Sequence, residues 1–180
     1  MDESLLKNLP ANADCLFSLV DIESALDRLI PALAQEYVDK TPLVLGVMNG
    51  ALSTLGYLLP RLPFLLEVDY IHATRYRGAI QGGTLVWKAK PETSLQDRHV
   101  LLIDDVLDQG ITLDLIRAYC FEQGASSVKI LVLGEKQIPG FKAPITADYR
   151  ALYFPDRYIF GYGMDYQGYW RNAPGIFAYR

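Results

Sequence analysis

Cysteine is scarce in this sequence, and basic residues are outnumbered. Its 180 residues include only Cys15 and Cys120, with no C-x-x-C spacing. That excludes a disulfide framework or a zinc site as the organising device, and both thiols are expected to serve as small apolar residues. Histidine is equally thin. His72 and His99 have no orienting partner in any motif and are read as strand or surface residues. Seventeen Lys and Arg face twenty-one Asp and Glu, a formal charge of −4, and there is no basic run. This balance disfavours a nucleic-acid partner or an anionic membrane surface. The opening MDESLLKNLPANADC carries acids and no sustained apolar core, so no secretory signal is expected. Leu43 to Pro60 is uncharged, but glycines, Asn49, Ser53 and Thr54 interrupt it. A strand, a tight turn and a short buried helix fit it better than a membrane span. The expected location is the cytoplasm.

Apolar residues are plentiful. At 51% hydrophobic and 21% charged, the chain has the composition of a folded protein. Its length suits one domain over 1–180, with an N-terminal helical segment over 1–41 and a core over 42–180. Asp21 is placed to cap a helix over IESALDRLIPALAQEYVDK, which Pro31 should kink or split. PLVLGVM predicts a buried strand, ALSTLGYLLP a helix, and FLLEVDYIHATRY a second strand. RYRGAIQGG, from Arg75 to Gly83, predicts a flexible loop, and Thr84 to Trp87 is again strand-like. HVLLID is the clearest buried strand, followed by DVLDQGIT as a loop and LDLIRAYCFEQ as a helix stopped by Gly124. SVKILVLG then completes a right-handed βαβ unit, so the class is α/β with a mainly parallel sheet flanked by helices. The last forty residues predict short strands and loops beside the sheet edge.

The segment Val100 to Thr112, VLLIDDVLDQGIT, carries the chemistry. It leaves the carboxyl end of a strand, where open α/β sheets bind ligands, and enters a helix. A helix N-terminus offers unpaired amides and positive dipole charge to a phosphate. Gly110 lets the backbone turn closely, and Thr112 can donate its hydroxyl. Neither GxxxxGK[ST] nor GxGxxG occurs, so Walker and dinucleotide readings fail. Asp104 and Asp105 would repel an anion unless they face sugar hydroxyls or hydrated Mg²⁺. A solvated acidic turn capping a helix is the plain alternative.

An apolar strand followed by DD, two apolar residues, D, a tight loop and T resembles the phosphoribosyl pyrophosphate (PRPP) motif of type I phosphoribosyltransferases. From Pro42 onward the chain is similar to the hypoxanthine-guanine phosphoribosyltransferases. The likeness takes in VLGVMNGAL, the loop near Tyr76, the strand ending at Lys136, and FPDRYIFGYGMDYQGYWRN. The resemblance implies the type I fold, with a small hood built from the chain ends. It implies Mg²⁺-dependent transfer of 5-phosphoribosyl from PRPP to N9 of hypoxanthine or guanine, releasing pyrophosphate. Asp104 and Asp105 would bind ribose and Mg²⁺, and Asp108 would be general acid/base at purine N7. Asp108, Gln109, Gly110, Ile111 and Thr112 would hold the 5′-phosphate. Lys136 would donate to the 6-oxo group, Tyr158 would stack on the base, and Ile159 would meet its edge. Asp165 would accept from the guanine 2-amino group by its carbonyl and meet a second Mg²⁺ by its carboxylate. Met48, Asn49, Gly50 and Arg171 would bind pyrophosphate, and Arg75, Tyr76 and Arg77 would close over the substrate.

The chain departs from the pattern in three places. Asn49 stands where many relatives carry lysine, Gln109 where Ser or Thr is common, and RYRGA where Ser-Tyr-Gly is common. Slower turnover than in relatives is expected. The peptide at Met48-Asn49 is often cis in such proteins. A homodimer or homotetramer is implied. A xanthine-preferring enzyme and a nucleotide-sensing regulator on the same fold are the competing readings.

Overall fold

Each central strand carries an unbroken apolar run, Leu43–Val47, Val100–Ile103 and Ile130–Leu133, yet the side chains sort by period two onto two separate cores. The computed structural model describes residues 9–10, 12–75 and 85–179. Its strands are β1 (Ala13–Ser18), β2 (Leu43–Val47), β3 (Glu67–Arg75), β4 (Leu85–Ala89), β5 (His99–Leu107), β6 (Ser127–Gln137), β7 (Tyr149–Pro155), β8 (Tyr158–Phe160) and β9 (Gly175–Tyr179). Its helices are α1 (Leu19–Asp27), α2 (Ile30–Tyr37), α3 (Leu52–Leu58) and α4 (Ile111–Glu122), with a 3₁₀ turn over Leu59–Arg61. Val44, Leu101, Ile103, Leu131 and Leu133 face one core, shared with Ile22 and Leu26 of α1 and Leu55 of α3. Leu43, Leu45, Leu102, Ile130 and Val132 face the other, shared with Leu113, Ile116 and Cys120 of α4. A sheet covered on both faces is what unbroken apolar strands require.

The main sheet has the order β4-β3-β2-β5-β6-β7. All pairs are parallel except β3 with β4. From β2 the chain passes through α3 to β3 on one side, and from β5 through α4 to β6 on the other. The carboxyl ends of β2 and β5 therefore form the switch point at which open α/β sheets bind ligands. A second sheet, β1-β9-β8, is antiparallel and joins the two chain ends. It is the small hood implied by the resemblance.

Several local expectations change. Asp21 does not cap α1. Ser18 does, with its hydroxyl accepting from the Asp21 amide while the Asp21 carboxylate accepts from the Ser18 amide at 2.9 Å. This reciprocal box places the acid at the third helical position. Pro31 sits in the first turn of α2 and splits the predicted helix in two. The strand β1 was not anticipated, because ADCLFS is short and finds its partner, β9, only at the far end of the chain. The predicted loop DVLDQGIT is mostly strand and helix: β5 runs to Leu107 and α4 starts at Ile111, leaving Asp108–Gly110 between them. Gly124 follows α4 with φ +87°, as expected for a stop. Cys120 is buried, as expected, but Cys15 is exposed. His99 bonds Ser127 across β5 and β6 at 2.8 Å, a strand role. No helix among the described residues is long and apolar enough to cross a membrane.

Candidate active site

Strand pairing alone explains why the acidic residues meet a cavity. β2 accompanies β5 only as far as Gly46 beside Ile103. Beyond that point β5 keeps β6 as its neighbour through Leu107 beside Glu135. Asp104 and Asp105 therefore emerge where β2 has turned away, at the Met48–Gly50 turn. The same parallel register, carried one residue further, sets Asp108 next to Lys136. Their side chains form an ion pair of 3.1 Å, with Lys136 largely buried at 15% exposure and Asp108 open at 47%.

Two cavities meet here. One, of about 260 Å³, is bounded by Met48–Gly50, by Asp104 and Asp105, by Asp108–Leu113, and by Asp165 and Arg171. The other, of about 230 Å³, is bounded by Lys136, Tyr158, Ile159 and Met164. Asp105, Val106, Asp108 and Asp165 line both and form the wall between them. Val106 and Met164 were not singled out from sequence. An apolar residue inside an acidic motif, or beside a glycine turn, carries no signal that distinguishes a site wall from core.

The first cavity has an amide end and a carboxylate end. At the amide end, Gly110 precedes α4 with φ +77°, and no side chain caps the helix. Its first amides face the cavity end lined by Ile111 and Thr112, with the positive end of the helix dipole behind them. A Cβ on Gly110 would also lie 2.9 Å from Ile145, so the turn needs glycine on two counts. At the other end, the Asp105 amide donates to the Asp104 carboxylate at 2.8 Å and the Val106 amide to Asp105 at 2.6 Å. Lost hydration pushes both carboxyls above the ordinary carboxylate range. Asp104 is raised most, helped by repulsion from Asp105, whereas the Val106 amide and Arg171 restrain Asp105.

The Met48–Gly50 turn reaches the same carboxylate. The Met48-Asn49 peptide is cis. A Cβ on Gly50 would fall 1.9 Å from Asp105 Oδ2, so only glycine lets this backbone lie against the acid. The hood completes the wall. Arg171 donates to the Gly163 carbonyl at 2.6 Å and to Asp165 Oδ1 at 2.7 Å. Arg171 and Asp165 thus line the cavity as a pair, a coupling the sequence did not suggest. Tyr76 and Arg77 lie outside the described residues, as does the Arg75 side chain, although its backbone ends β3. All other predicted site residues line one or both cavities.

Comparison with known proteins gives the same assignment. The phosphoribosyl transferase domain family matches residues 16–164. The hypoxanthine-guanine-xanthine phosphoribosyltransferase of Tritrichomonas foetus is 32% identical over 161 residues, 89% of this chain and 88% of the relative. The hypoxanthine-guanine phosphoribosyltransferase of Bacillus subtilis is 33% identical over 162 residues, 89% of each chain. A solved hypoxanthine phosphoribosyltransferase from Staphylococcus aureus superposes with a TM-score of 0.88 at 27% identity, covering 100% of this chain and 96% of that one. With its two-cavity site at the switch point of a parallel sheet, the chain belongs to the phosphoribosyl transferase domain family, alongside the hypoxanthine-guanine phosphoribosyltransferases.

Proposed function

We propose that the chain transfers 5-phosphoribosyl from PRPP to N9 of hypoxanthine or guanine, giving IMP or GMP and pyrophosphate in a Mg²⁺-dependent reaction. The observation that supports this most is the shared wall. A cavity with a phosphate-binding helix end and a cavity suited to a flat base open onto the same Asp105–Asp108 segment. A sugar in the first cavity and a base in the second would bring C1′ and N9 together beside that segment.

In this scheme the amides and side chains of Asp108, Gln109, Gly110, Ile111 and Thr112 hold the 5′-phosphate. Asp104 and Asp105 accept from ribose hydroxyls, and their field favours the positive charge that develops on the ring as the C1′ bond breaks. Met48, Asn49, Gly50 and Arg171 receive the pyrophosphate, Arg171 by its planar fork. Lys136 donates to the 6-oxo group, and Asp108 manages the proton at the adjacent N7 as N9 forms its new bond. Oxygen O6 and N7 are neighbours on one purine edge, which matches the 3.1 Å approach of Lys136 to Asp108. Tyr158 offers its ring face, Ile159 its backbone, and Asp165 its carbonyl.

The residues present suit Mg²⁺. Asp104 and Asp105 are adjacent and buried, the Asp105 charge repels Asp104, and a divalent cation would relieve that repulsion. Held by these two carboxylates, Mg²⁺ would keep several waters and take further oxygens from the substrate. Asp104 and Asp105 would hold it, with Asp165 for a second ion. When bound, it neutralises charge on the leaving pyrophosphate.

Product formation from hypoxanthine, guanine and xanthine, with PRPP and Mg²⁺, tests the proposal. IMP and GMP should form, and Asp108→Ala should lower kcat by about 10²–10⁴-fold. Unchanged turnover in that variant would remove its acid/base role. Nucleotide binding without turnover of any base would favour a sensing role. Xanthine as the best base would move the assignment toward the T. foetus relative's named range. The same scheme takes 1–180 as one catalytic domain, acting in the cytoplasm as a homodimer or homotetramer, which light scattering checks.

A further inference from the structure

The base cavity contains a polar contact that the reaction itself does not need. Tyr158, half exposed at 52%, donates its hydroxyl to the backbone carbonyl of Asp165 at 3.2 Å. That carbonyl is held in place. The Asp165 carboxylate accepts from the Gly168 amide at 2.8 Å and from Arg171 at 2.7 Å. The tyrosine ring is held as well, edge-on to Tyr166 with centroids 5.6 Å apart, and Tyr166 packs in turn on Phe160 and Tyr179. Both partners of the hydrogen bond are therefore set before a base arrives.

We propose that the Tyr158 hydroxyl is a specificity-determining group that biases the site against purines carrying a 2-amino group, because it occupies the Asp165 carbonyl. The inference rests on the proposed function, in which Tyr158 stacks on the base and this carbonyl faces its C2 edge. A base with only hydrogen at C2 asks nothing of the carbonyl and leaves the tyrosine contact intact. A 2-amino purine brings two N–H donors, and an amine covered by protein must find an acceptor. The carbonyl has two lone pairs, so the hydroxyl does not bar the amine outright. The two donors must share one oxygen, or the phenol must give way and lose its partner. Either outcome taxes guanine and spares hypoxanthine. Phenylalanine at this position keeps the ring face and removes the competing donor.

The test compares wild type with Tyr158→Phe in two measurements: kcat/KM for guanine and for hypoxanthine, and calorimetric binding of GMP and IMP. The guanine-to-hypoxanthine ratio of kcat/KM should rise about three- to tenfold, and the GMP-to-IMP affinity ratio should rise with it. A ratio that stays constant or falls in both measurements overturns the proposal. Tyr158→Leu serves as the contrast: loss of the ring should weaken both bases, whereas a merely structural role for the tyrosine would make the two variants alike. Wild-type protein that turns over neither base and binds neither nucleotide would instead overturn the function on which the inference rests.

Discussion

Asp104 and Asp105 are adjacent carboxylates at the end of a buried strand, where burial makes both costly to ionise and the Asp105 charge adds to the cost at Asp104. The consequence for stability has a definite sign. A carboxyl whose pKa is higher in the folded than in the unfolded chain binds protons more tightly when folded. The pair's contribution to stability then falls as pH rises from the unfolded carboxylate value, about 3.9, through the raised folded value. Asp21, Glu36 and Asp69 shift the other way, so the pair's share is read in thermal melts followed by circular dichroism as the difference between ligand-free wild type and a variant lacking one of the two acids. Asp104→Asn removes the ionisation and keeps the shape. It should raise the ligand-free Tm at neutral pH and flatten the pH dependence, while transferase activity falls at least about a hundredfold. A lower Tm for this variant would mean that the carboxylate pair is structural. Gly50 makes the same point in packing: its backbone lies so close to Asp105 that no side chain fits between them.

Among the elements, the two helix starts that matter are built in opposite ways. The start of α1 is closed by the reciprocal Ser18–Asp21 bonds at the surface, and its core contacts begin with Leu19 and Ile22. The start of α4 has no side-chain cap and opens on the cavity. A capped helix start satisfies its own amides, whereas an uncapped one leaves them for a ligand. Ser18→Ala should therefore lower Tm by about 2–4 °C, measured by differential scanning calorimetry, with PRPP affinity unaffected. β5 is the other informative element. Its last residues remain paired with β6 after β2 has left, so the acids belong to a rigid strand end. A strand end holds catalytic groups more firmly than a mobile turn does.

Across the whole molecule, one sheet separates two apolar cores, and the hood ties the chain ends over one end of it. Leu101 and Leu102 are consecutive, face opposite cores and are both fully buried. Each Leu→Ala change should cost about 2–5 kcal/mol in urea unfolding. A sheet with one wet face would give one large and one negligible value. The hood is fastened by Arg157, which reaches Asp14 at 2.9 Å and the Ala178 carbonyl at 2.9 Å. Residues 143 positions apart in the chain are thereby joined next to Tyr158.

Much of this arrangement is written in local sequence. HVLLID and SVKILVLG read as buried strands because each holds an unbroken run of four apolar residues, VLLI and ILVL, and VLLIDDVLDQGIT reads as a phosphate loop because strand, acids, glycine and helix follow in order. Period and turn chemistry act over a few residues, so a single segment suffices to reveal them. What joins distant segments is not legible in this way. The partnership of β1 with β9, the exposure of Cys15, the Arg171–Asp165 pair and the Tyr158 hydroxyl on the Asp165 carbonyl depend on where chain ends and strand registers meet. The net charge of −4 belongs to the same division. Composition weighs against an extended polyanion, but only the tertiary structure turns Asp104, Asp105, Asp108 and Asp165 toward two adjoining cavities, with Arg171 on the first and Lys136 on the second. Local sequence fixes the kind of chemistry because side-chain type and short-range periodicity are properties of the segment. Which groups touch is decided by long-range packing, because contact depends on the whole fold.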